Sequence, residues 1–93
     1  KIIERNWRCK LGEIDLIIKK DLELRFIEVK TRSSSNFGYP EQALTETKKR
    51  HFFNAIEYFL SKNKIHDNQA HADILAIIIN HQEFDIRWLP DCI

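Results

Sequence analysis

Two cysteines, two glycines and two prolines are few for 93 residues, and each shortage narrows the reading. Cys9 and Cys92 stand near opposite ends, with no Cys-x-x-Cys and no Cys/His ligand spacing. Reduced, partly buried thiols in a reducing cytoplasm fit them better than a terminal staple. No apolar run approaches the roughly 20 residues needed to cross a bilayer. No basic-then-apolar leader opens the chain either, so neither membrane insertion nor secretion is expected. There is no internal repeat and no low-complexity segment.

What is present is the composition of a globular chain: 43% hydrophobic, 31% charged and 11% aromatic. The length suits a single domain over residues 1–93, burying roughly 60–68% of its unfolded surface. Net charge is only +1, but it is unevenly spread: +3 over residues 1–32, +2 over 33–66 and −4 over 67–93. The first two thirds can therefore face a polyanion, while ordinary solvated charge explains the count equally well. The chain opens at Lys1 without Met, and its first residues already read as a strand. A fragment lacking an N-terminal element is the expectation.

Ile2–Cys9 reads as a strand with Ile3, Arg5 and Trp7 on one face. Glu13–Lys19 and Leu24–Thr31 read as a strand pair about the short polar break KKDLE. Residues 32–42, RSSSNFGYPEQ, form the longest loop candidate. Thr45 is a plausible N-cap for a helix reaching about Lys62, with Phe52, Ile56, Phe59 and Leu60 at helical spacing as core packing. ADILAIIIN is expected as a strand buried on both faces, and FDIRWL as a final strand after a polar turn at His81–Glu83. The order β-β-β-α-β-β predicts an α/β fold with a mixed sheet, its helix long enough for a crossover to a parallel strand.

The first strand pair poses the main question, because Glu13, Asp15, Glu28 and Lys30 interrupt apolar runs at alternate positions. If the turn centres between Asp21 and Leu22, Asp15 faces Glu28 and Glu13 faces Lys30. Ile14 would then meet Val29, and Leu16 would meet Ile27, on the other face. Two opposed carboxylates repel unless they are protonated or bridged by a cation. Mg²⁺ favours one or two carboxylates, with water and phosphate completing its shell. Lys30 would place a positive charge beside them. A solvated sheet face with a Glu13–Lys30 salt bridge is the competing reading.

GEIDLI, FIEVKTR and FGYPEQALTETKKR, in that order and with thirteen residues from Asp15 to Glu28, resemble the YraN family of uncharacterised bacterial proteins. That family is placed within the restriction-endonuclease-like PD-(D/E)XK nuclease superfamily, which includes Holliday-junction resolvases. The resemblance runs from ERNWRC to LPDCI and is strongest over residues 12–50. It implies a restriction-endonuclease-like mixed β-sheet, with an N-terminal helix that this chain lacks. It places the metal-binding aspartate on Asp15, the acidic residue of the E-x-K element on Glu28 and its lysine on Lys30. The Val29 carbonyl would be a further metal ligand, with Glu13 and Gln42 as auxiliary residues. Without a helix glutamate, the remaining ligands would hold metal weakly.

For nucleic acid, Arg32 and Lys48 are the expected phosphate contacts at the entrance of the helix. Lys49 and Arg50 read either as part of that contact or as a solvated helix face. Phe37 and Tyr39 would stack on bases or fold back on the core. The four histidines lack ligand spacing and read as surface or packing residues. Asp73 would join the acidic group only if its strand starts near Glu28. The expectation is thus a cytoplasmic Mg²⁺- or Mn²⁺-dependent endonuclease-like domain hydrolysing DNA, branched DNA included; similar resolvases work as homodimers, but nothing in these residues fixes the oligomeric state. The alternatives are a catalytically inactive nucleic-acid-binding or assembly module with the same fold, and a purely protein-interaction domain.

Overall fold

Alternation of apolar and charged residues from Gly12 to Ser33 builds a long hairpin, and the rest of the sheet grows from it. The computed structural model describes residues 1–33, 44–66 and 69–93. Strands β1 (Ile2–Cys9), β2 (Gly12–Lys20) and β3 (Glu23–Ser33) precede helix α1 (Glu46–Lys62), and β4 (Ala70–Asn80) and β5 (Glu83–Leu89) follow it. The five strands lie in the order β1-β2-β3-β4-β5. β3 and β4 are parallel, and the other three pairs are antiparallel. This is the expected β-β-β-α-β-β mixed sheet, consistent with a restriction-endonuclease-like fold.

The turn between β2 and β3 centres on Asp21 and Leu22, as the apolar pairing predicted, giving Leu16↔Ile27 and Ile17↔Phe26. Asp21 takes a left-handed φ of 56°, a conformation that Asp tolerates better than most residues. Thr45 caps α1, its Oγ1 accepting from the Lys48 N–H at 3.1 Å. The helix ends at Lys62, with Asn63 as its C-cap. Phe52, Ala55, Ile56, Phe59 and Leu60 pack from α1 onto Ile14, Ile17, Leu24, Phe26 and Ala72 of the sheet. Phe59 is central: its ring meets Trp7 edge-on at 5.2 Å and Phe26 at 5.6 Å.

Two details depart from a strict two-residue alternation. Ile14 and Ile17 are three apart, yet both are fully buried in the same core. β2 therefore changes side-chain parity at Asp15–Leu16, and Ile14 does not share a face with Leu16 as expected. β1 changes with it. The pairs Arg5↔Leu16 and Trp7↔Ile14 flank a gap at Asn6, whose φ is 50°. Trp7 consequently packs against the core while Ile3 and Arg5 stay exposed, so the three do not act as one face. β4 is buried on both faces only in its first half, since Ile79 is 44% exposed.

Gly12 shows how closely the helix seats on the sheet. A Cβ there would lie 2.8 Å from the His51 carbonyl oxygen, a backbone atom that cannot swing away. Gly12→Ala should therefore lift α1 or bend β2, lowering unfolding free energy by about 1–3 kcal/mol in urea titrations.

Candidate active site

The parity change in β2 is what aims Asp15. Antiparallel pairing between β2 and β3 runs only as far as Leu16↔Ile27, one pair short of Asp15 and Glu28. Where the ladder stops, the Asp15 carboxylate takes over its role: Oδ2 accepts the Val29 N–H at 2.8 Å. The Glu28 side chain lies close enough to Asp15 for its protonated carboxyl to donate a hydrogen bond to the Asp15 carboxylate. Glu28 lies level with Ile74 of β4, and Lys30 lies level with Ala76. Both follow Phe26 in the alternation of β3, so they stand on the face that α1 covers.

Burial pushes Glu28 up from the ordinary 4.5 to about 7, and the hydrogen bond and negative charge of Asp15 push in the same direction. Glu13 adds to the rise, and Lys30 opposes it. The Lys30 ammonium stands 3.9 Å from Glu28 Oε1, and the two side chains are only 19% and 22% exposed. Around neutral pH Glu28 is therefore only partly ionised, beside a sheltered cation. A divalent cation can replace the Glu28 proton, because it relieves the same repulsion.

Among the described residues, no group of three or more His, Cys, Asp or Glu gathers as a closed metal site. Two adjacent carboxylates are nevertheless a fitting donor set for a hard ion that keeps water and substrate phosphate in its shell.

The other expected residues are more dispersed. Glu13 does not pair with Lys30: its carboxylate is 3.0 Å from Arg8 Nε across the β1–β2 pair, and both side chains are exposed. Val29 offers its N–H to Asp15. Arg32 is half-buried, two residues beyond Lys30 and level with Ile78. Lys48 and Arg50 are exposed in the first turns of α1. Lys49 sits nearby with its ammonium 3.8 Å from Glu46. Gln42, Phe37 and Tyr39 lie outside the described residues.

Asp73 does not join the carboxylate pair. It lies level with Ile27, on the opposite face, and is wholly buried. Its oxygens accept from Arg25 at 3.2 Å, from the Trp88 indole N–H at 3.0 Å and from the Asp91 N–H at 2.8 Å. Arg25 also lies 5.0 Å over the Trp88 ring. Sequence reasoning passed over Arg25, although a lone charge inside LRFI and another inside ADILAI were the available signal.

Comparison with known proteins identifies a family for the chain. The profile of a family described as "Uncharacterised protein family UPF0102" matches residues 1–86. A UPF0102 protein of Caldicellulosiruptor saccharolyticus is 44% identical over 93 residues, covering 98% of this chain and 79% of the relative. One from Geotalea daltonii is 44% identical over 91 residues, covering 97% of this chain and 72% of its own length. A third, from Clostridium perfringens, is 37% identical over 92 residues, covering 97% and 75% respectively.

Proposed function

The chain belongs to the uncharacterised protein family UPF0102, the YraN family, and from that premise we propose that it is a metal-dependent nuclease-like domain hydrolysing phosphodiester bonds in DNA, branched DNA included. One observation carries the reading. The Asp15 carboxylate is fixed by the Val29 N–H at 2.8 Å beside a partly buried Glu28, with the Lys30 ammonium 3.9 Å from Glu28. A solvated sheet face would not shelter three ionisable side chains in this way.

Asp15 and Glu28 would hold Mg²⁺ or Mn²⁺, which when bound supplies Lewis-acid polarisation of the phosphate and a more acidic water. Lys30, fixed near Glu28, stabilises negative charge as it grows on the phosphate and helps orient the attacking water. Arg32 lies two residues further along the same strand, and Lys48 lies at the N-terminal turn of α1. Both suit contacts to phosphate oxygens, which position a substrate without reading its sequence. Glu28 must give up its proton before the pair can take a cation, so activity should rise with pH through about 7. No helix among the described residues is long and apolar enough to cross a membrane.

The test is cleavage of labelled linear, single-stranded, flap and four-way DNA by the full-length protein with Mn²⁺. Cutting should disappear with chelator and fall at least about a hundredfold in Glu28→Ala. DNA affinity unchanged in that variant, with no cutting by either protein, would leave a binding module instead.

A further inference from the structure

The two edges of the sheet are built differently. β1 is interrupted twice, by a register shift near Ile3 and by the left-handed Asn6. Such irregularities discourage an edge from pairing with another chain. β5 has no such defence. It pairs with β4 without a register shift from Ile74↔Leu89 to Asn80↔Glu83, and none of its residues has a positive φ. Among the described residues, its far side meets no other strand. Its residues from Glu83 to Trp88 are all exposed, including Phe84 at 69%, Ile86 at 52% and Trp88 at 51%. Three large apolar side chains on an open edge strand amount to a liability unless something pairs with it.

The sequence of β5 indicates what that is. Set antiparallel to itself about a two-fold axis at Ile86, EFDIRWL is self-complementary. Ile86 opposes its own copy, Phe84 opposes the partner's Trp88, and Asp85 opposes the partner's Arg87. Ile86 meets its copy once on the axis, and the other two contacts each occur twice, as an isologous interface requires. Within one chain, Arg87 Nε already lies 3.2 Å from Asp85 Oδ2, with both side chains about two thirds exposed, at 65% and 64%. Pairing would join these charges into a four-membered alternating cluster. Trp88 is also held in place, since its indole N–H is anchored on buried Asp73.

We propose that β5 is a homodimerisation edge, pairing with β5 of a second copy in the register centred on Ile86 to give a continuous ten-stranded sheet. The interface rests on β5 alone and does not depend on the nuclease reading. If that reading holds, both carboxylate pairs fall on one face of the joined sheet. β3 and its mate are then five strand spacings apart, roughly 24 Å across the sheet.

Sedimentation equilibrium of the full-length protein, taken to high micromolar concentration, tests the proposal. The wild type should dimerise. Asp85→Arg alone and Arg87→Asp alone each set like charges opposite one another twice, and should raise the dimer Kd about tenfold or more. The double variant exchanges the two charges and should return the Kd close to wild type. Both positions are exposed, and unchanged thermal unfolding of diluted samples will confirm the fold of each variant. A wild type that stays monomeric throughout would overturn the proposal. So would single variants that dimerise as the wild type does, or a double variant that fails to recover.

Discussion

Asp73→Ala is expected to cost about 3–5 kcal/mol of unfolding free energy, the largest stability effect of any single substitution considered for this chain. The reason lies in how many donors depend on one carboxylate. Asp73 is wholly buried and accepts from the Arg25 guanidinium, the Trp88 indole and the Asp91 backbone N–H. Truncation leaves a guanidinium that is only 19% exposed without its nearest counter-charge. Glu23 and Asp91 lie 3.6 and 3.8 Å from that guanidinium but are more than half exposed, and they compensate weakly. The indole and the amide lose their acceptor as well. Asp73→Asn keeps the size and one carbonyl oxygen, so it should lose less than the alanine variant. Urea unfolding of both variants measures the difference, and equal stability to wild type would mean the network is ornamental.

Replacing Glu28 by glutamine should have the opposite sign above neutral pH. The Glu28 carboxyl has its pKa raised to about 7 from 4.5, chiefly by burial and then by Asp15. Between those values the folded protein binds more protons than the unfolded chain. Stability is therefore greatest below the unfolded value and falls as pH climbs through about 7. The fall should be on the order of 2–3 kcal/mol for a rise of this size. Glutamine carries a permanent N–H donor toward Asp15 and has no proton to lose. Glu28→Gln should flatten the slope and be more stable than wild type at about pH 8 without metal. Saturating Mg²⁺ should restore the wild type and leave the variant unchanged. Urea midpoints across this pH range would show it, and parallel pH profiles for the two proteins would refute it.

The hairpin carrying this site was legible because its apolar pairs fix its register. Only a turn at Asp21–Leu22 lets Leu16 meet Ile27 and Ile17 meet Phe26, and that turn also brings Asp15 toward Glu28. The helix was legible from its 3.6-residue stripe and from Thr45. The change of parity in β2 was not legible, since nothing in EIDLI marks where a strand abandons strict alternation. As a result, Asp15 contacts Glu28 beyond the end of the ladder, and Glu13 turns to Arg8. Asp73 was ambiguous for a different reason. Its partner Arg25 lies on a strand 48 residues earlier, and only the parallel register of β3 and β4, which sets Asp73 level with Ile27, brings the two within reach. The exposure of β5 likewise depends on its being an edge, which strand order decides and local sequence does not.

The most direct measurement on the central claim is an NMR titration of the Glu28 side-chain carboxyl, with and without Mg²⁺. In the metal-free protein it should titrate near 7, and a saturating ion should pull the midpoint down by a unit or more, because cation and proton compete for the same oxygens. A midpoint near the ordinary 4.5, or one that Mg²⁺ does not move, would contradict a metal-holding carboxylate pair.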